Sequence, residues 1–190
     1  MSQENSAPEI TDRSASGDWP HTALSRRCRW LFHYLAGALS WIWLALIAVV
    51  VINVIMRYLF GEGRIEFEEI QWHLYATGFM LGLATCMDTD QHVRVDVLHD
   101  RASAQTRAYI ELYGLLLLFL PFVLAMLIFA LPFVSYSFAI SEVSDAPGGL
   151  PGRWLIKGML PLAMTLLLVA GISRLSRILA FLFGWPHRVD

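Results

Sequence analysis

Between Leu112 and Ser141 the chain runs for 30 residues without a charged side chain. Wholly helical, this stretch would reach roughly 45 Å, well beyond the ~30 Å hydrocarbon core of a bilayer. It is too long for one perpendicular span and too short for two spans with a turn. It therefore predicts one tilted or bent membrane helix, with Pro121 and Pro132 supplying the bends by removing backbone hydrogen bonds.

Three further runs read the same way. Trp30 to Met56 carries no formal charge if His33 is neutral, and Trp30, Tyr34, Trp41 and Trp43 cluster in its first half as an aromatic belt would. Ile70 to Met87 is 18 residues without a formal charge, about the shortest run that spans as an α-helix. The last run, Leu155 to Phe183, has an uncharged centre from Gly158 to Ser173. Arg174 is expected near the interface there, with Leu175 to Trp185 continuing along or above the surface. The fold class expected is an all-α integral membrane protein of four transmembrane helices, about 31–58, 67–87, 108–138 and 154–182. Residues 1–25 are expected to form a disordered tail, 26–185 the membrane domain and 186–190 a short C-terminal tail. The loop from Asp88 to Arg107 is too charged to span, and Asp100 or Ser103 can cap a short interfacial helix leading into the third span.

Composition agrees: 56% hydrophobic and 16% charged residues is too apolar for an ordinary soluble domain. A formal net charge of −2 without a basic stripe excludes a nucleic-acid partner. Cys28 and Cys86 are too few for a disulfide framework. Ten of the fourteen basic residues, Arg13, Arg26, Arg27, Arg29, Arg94, Arg101, Arg107, Arg174, Arg177 and Arg188, fall on one side of this topology. Arg57, Arg64, Arg153 and Lys157 fall on the other. The positive-inside bias places both termini and the loop between helices two and three in the cytoplasm.

Within the second span, Gly78 and Gly82 form a small-xxx-small pair, which predicts a close helix neighbour. Ahead of it lies an acidic turn with Glu62, Glu66, Glu68 and Glu69. Glu66, Glu69 and His73 share a helical face, and Arg57, near the apolar edge, is expected to pair with one of these glutamates. The plainer reading is a solvated acidic loop. Asp88, Asp90, His92, Asp96, His99 and Asp100 superficially suggest a metal site. No tight His or Cys spacing fixes a geometry, so no metal is expected. His33 and His73 lie toward opposite membrane faces and cannot share a haem iron. No charged residue and no internal repeat marks a transport path through the middle of the helices, so they read as a scaffold packing against something larger.

The chain resembles the small permease subunit, the DctQ-like component, of tripartite ATP-independent periplasmic (TRAP) transporters, from about Trp30 to Arg177. The resemblance rests on Arg57-Tyr58, Glu68-Glu69, the Gly78 to Gly82 region and His92-Val93-Arg94-Val95-Asp96, followed by Glu142-x-Ser144, Gly148-Gly149-Leu150-Pro151, Trp154, Lys157 and Pro161. It implies a non-enzymatic inner-membrane subunit without cofactors, partnered by lipids, by a large DctM-like permease subunit and by a periplasmic solute-binding protein. The large subunit would move an organic acid or similar solute on a sodium gradient. On this view Arg57, Glu66, Glu69, Gly78, Gly82, His92, Arg94, Asp96, Glu142, Gly148, Gly149 and Lys157 are structural or subunit-contact residues. The alternatives are a membrane anchor for a redox enzyme and a self-sufficient small channel.

Overall fold

The computed structural model describes residues 19–89 and 103–185. These form four long helices: α1 (Ala23–Leu59), α2 (Ile65–Asp88), α3 (Ala104–Ala139) and α4 (Arg153–Phe183). Among the described residues, α1, α3 and α4 are long and apolar enough to cross a membrane. α2 is the most polar of the four in its first half, where Glu66, Glu68, Glu69, Gln71 and His73 fall within three turns. The helices run up and down. The α1–α2 and α3–α4 turns share one end of the bundle, here the hairpin end, and the two described chain ends share the other, the terminal end.

Charge and capping set the helix limits. α1 begins at Ala23 rather than near residue 31, because Thr22 caps it. The Thr22 hydroxyl accepts from Ser25 N–H at 3.2 Å and the Ser25 hydroxyl accepts from Thr22 N–H at 2.9 Å. The described part of the expected tail, Trp19 to Ser25, is thus folded onto the bundle, and Trp19 is buried. α3 is capped by Ser103, whose side chain accepts from Thr106 N–H at 3.2 Å. α4 enters and leaves through Gly152 (φ 78°) and Gly184 (φ 70°), left-handed positions that favour glycine.

α4 is the centre of the molecule, packing against α1, α2 and α3, while α1 also packs along α2. Its buried face includes Ala163, Met164, Leu167, Ala170, Gly171 and Ile178. Arg174 is buried as well, and α4 continues straight through Phe183. Leu175 to Trp185 was expected to continue along or above the membrane surface; up to Phe183 the segment is helical and packed into the bundle, with Ile178 and Ala180 fully covered. What covers this end is the beginning of the described residues. Trp19 packs edge-on to Phe181 with ring centroids 4.5 Å apart, the Thr22 and Ser176 hydroxyls are 2.9 Å apart, and Arg177 donates to the Trp19 carbonyl at 3.2 Å.

α3 carries a π-helical segment, Gly114–Phe119, directly ahead of Pro121. The proline ring has no N–H for the carbonyl four residues back and would crowd it. Widening the preceding turn relieves the crowding. The widened turn turns Phe119 toward α4, where a Cβ on Gly171 would run into its ring.

Candidate functional site

The hairpin end holds most of the polar side chains that the sequence singled out. α2 opens with adjacent glutamates that point to different neighbours, since successive residues on a helix are about 100° apart. Glu68 pairs with Arg57 from the last turn of α1. Glu69 reaches the α3–α4 loop, where its carboxylate accepts from the Ser144 hydroxyl and, at 2.6 Å, from the Leu150 N–H. Glu66 is half-buried and makes neither contact.

The loop that Glu69 grips is itself ordered. Val143 and Pro151 form an antiparallel bridge, Ser144 N–H donates to the Leu150 carbonyl at 3.2 Å, and Arg153 N–H donates to the Glu142 carbonyl at 3.1 Å. Its turn needs Gly148, at φ 79°, and Gly149, where a Cβ would collide with the Ser144 side chain. Below the loop, Lys157 of α4 donates to Glu142 at 2.5 Å and sits 4.3 Å from the centre of the Phe133 ring. Phe138 and Trp154 close the helix pair edge-on at 5.3 Å.

Both anchoring carboxylates, which lie outside the uncharged stretches, are held in the charged form. The Ser144 hydroxyl, then the Leu150 N–H, lowers the pKa of Glu69; the Lys157 ammonium leads in lowering that of Glu142. The arrangement is a clamp. It joins the α1–α2 hairpin to the α3–α4 hairpin through one carboxylate held by a hydroxyl and a backbone N–H, with one charge pair inside each hairpin, and among the described residues it offers no nucleophile–base pair for chemistry. Among the described residues no group of three or more His, Cys, Asp and Glu side chains is placed to hold a metal ion.

The glycine pair divides. Gly78 is buried, and a Cβ there would lie 3.2 Å from the Trp43 ring and 3.5 Å from Ile42, so its expected close neighbour is α1. Gly82 has nothing within 4 Å of a Cβ position and makes no such approach. The difference lies in the facing side chains: Trp43 and Ile42 fill the space at Gly78, and among the described residues nothing does so at Gly82. His92, Arg94 and Asp96 lie outside the described residues, as do Asp90, His99 and Asp100 of the discounted metal set.

Two pairs were missed by sequence reading, Glu142–Lys157 and a second at the other end. At the terminal end Arg174 donates through Nε and Nη2 to the same oxygen of Glu111, at 3.1 and 2.8 Å, and both side chains are largely buried. The only signal was that Glu111 is the last charge before the long uncharged run and Arg174 the first after another. Arg174 was read as an interface marker and Glu111 was not singled out, so the two were left unconnected.

A family model described as Tripartite ATP-independent periplasmic transporters, DctQ component, matches residues 46–181, from the middle of α1 to the last turn of α4. No curated protein matches the chain.

Proposed function

The chain belongs to the DctQ component family of tripartite ATP-independent periplasmic transporters, and from that premise we propose that it serves as a fixed scaffold for a large permease subunit and carries no solute itself. The family makes it the small permease subunit of such a transporter, a membrane component and not an enzyme. The observation that carries the scaffold reading is the clamp at Glu69. A subunit whose two hairpins are tied by Glu69, Ser144 and Leu150 is built to hold a shape. The described charged pairs sit at the two ends of the bundle, away from a mid-membrane path. In this reading all four helices span, both termini are cytoplasmic, and the hairpin end faces the periplasm and the solute-binding protein. The partner holds the sodium and solute sites, and the solute is an organic acid or a compound like one. The redox-anchor alternative gains no support from the family.

Three measurements test this reading. Extraction of the tagged chain from native membranes in mild detergent should recover a stoichiometric, much larger polytopic protein; recovery of a soluble redox subunit, or of the chain alone, rejects it. Topology is read at Asp145, exposed on the α3–α4 loop, because Ser144 is engaged by Glu69. An Asp145→Cys thiol should react with an impermeant reagent in intact cells, and reaction only after lysis reverses the orientation. For binding-protein docking, charge reversal at exposed Glu62 and Asp145 should lower uptake severalfold, whereas Glu142 is committed to Lys157 and reports folding instead. Unchanged uptake removes the docking role.

A further inference from the structure

The outward face of α1 at the terminal end combines charge, aromatic rings and a notch in one line. Arg26, Trp30, Tyr34, Gly37 and Trp41 recur at steps of four, four, three and four, so they share a helical face, with Arg27 beside them. The opposite face turns Ser25, Cys28, Phe32 and Leu39 into the bundle, so the stripe points away from every other described helix. Both arginines are exposed, and Trp30, Tyr34 and Trp41 are 65%, 61% and 74% exposed. Trp30 and Tyr34 stand edge to face at 4.5 Å, already held in one arrangement. Gly37 has nothing within 4 Å of a Cβ position, which leaves a gap between Tyr34 and Trp41.

Depth decides what meets this stripe. α1 has 37 residues, about 55 Å of helix against a ~30 Å hydrocarbon core, so one or both of its ends must leave the core. Its uncharged stretch starts at Trp30, which puts Arg26 and Arg27 at phosphate depth, the two rings at the glycerol level and the Gly37 notch among the first methylenes. We propose that this face holds one anionic phospholipid, its phosphate on Arg26 and Arg27, its backbone against the Trp30–Tyr34 pair and an acyl chain laid across Gly37 toward Trp41. A zwitterionic headgroup would bring a second cation to the arginines and lose most of that attraction, so the site selects net negative charge. The inference is independent of the transporter reading and holds for either orientation of the chain.

The test is native mass spectrometry of the full chain, tagged at its C-terminus and released from mild detergent with equal phosphatidylglycerol and phosphatidylcholine. At roughly fivefold per basic residue at a membrane surface, Arg27 alone predicts a preference of about fivefold for phosphatidylglycerol, before any contribution from Arg26. R26Q/R27Q should lose that preference with its helix content unchanged by circular dichroism. R64Q, an exposed arginine at the other end, should keep it. G37L fills the notch without touching charge and should weaken retention of both lipids. Equal retention of the two lipids by the unmodified chain, an equal loss in R64Q, or full preference in R26Q/R27Q each overturns the site. So does a photocrosslinker at Tyr34 that captures a protein subunit in native membranes instead of phospholipid.

Discussion

Glu69 is half-buried beside an apolar helix and still ionised, because a hydroxyl and a backbone N–H both donate to it. The sign of its effect on stability follows. A carboxylate whose folded pKa lies below its unfolded one, ordinarily near 4.3, stabilises fully above the unfolded value and loses that contribution as pH falls through the folded value. Glu142, lowered by Lys157, acts in the same direction. The hairpin end is therefore expected to keep its thermal stability from pH 7 to about 5 and to lose it below about 4. E69Q should be less stable at pH 7 and should flatten that acid limb; a pH profile identical to the unmodified chain's, read by thermal unfolding in detergent, would contradict the clamp. The buried Glu111–Arg174 pair makes a different demand. Removing one partner leaves a charge without its match, so E111A is expected to cost about 3 kcal/mol, while the double variant E111M/R174M should recover most of it. Additive losses in the double variant would show that the two side chains act separately. Sequence reading expected Arg57 to pair with one glutamate of the acidic turn without saying which, and Glu68 is the one that does. Adjacent residues on a helix diverge enough to serve two partners, and the second partner, Ser144, is 75 residues away, where local spacing carries no information.

At the scale of helices, the same glycine spacing has two meanings that only packing separates. G78A pushes a methyl group toward Trp43 and is expected to destabilise by roughly 1 kcal/mol. G82A meets open space and should be neutral or gain up to about 1 kcal/mol of helix propensity. Equal thermal shifts for the two would refute the assignment of α1 as the close neighbour of Gly78. The π-helical turn is a second element-level device. If Pro121 imposes it, P121A should let residues 114–121 return to α-helical bonding and slow their amide hydrogen exchange, at the expense of the Phe119 contact with Gly171. Unchanged exchange would mean that packing on α4, and not the proline, widens the turn. The uncharged lengths announced where each helix lies and that Pro121 perturbs α3. They were silent on the form of the perturbation, since a kink and a π turn answer the same missing hydrogen bond. The start of α1 was legible in retrospect: Thr22-x-x-Ser25 is a capping box with serine in the place of the usual glutamate or glutamine.

For the molecule as a whole, the helical membrane class and the family were readable from uncharged run lengths and a dispersed set of motif residues. The central position of α4 was not. Hydropathy measures how well a helix tolerates lipid, and α4 is less apolar than α1 or α3 because its small residues, Ala163, Ala170, Gly171 and Ala180, serve packing. That position has a consequence for biogenesis. Of the four described helices, the one on which the other three converge is the last to be synthesised, and the final turns of α4 are also what hold Trp19 and Thr22. Until it is made, the earlier described helices form a hairpin and a lone segment with no common core, and Trp19 and Thr22 have nothing to close against. Quality control in the membrane thus has an unmistakable cue: a chain cut short before Arg153 is not a slightly damaged subunit but an unassembled one.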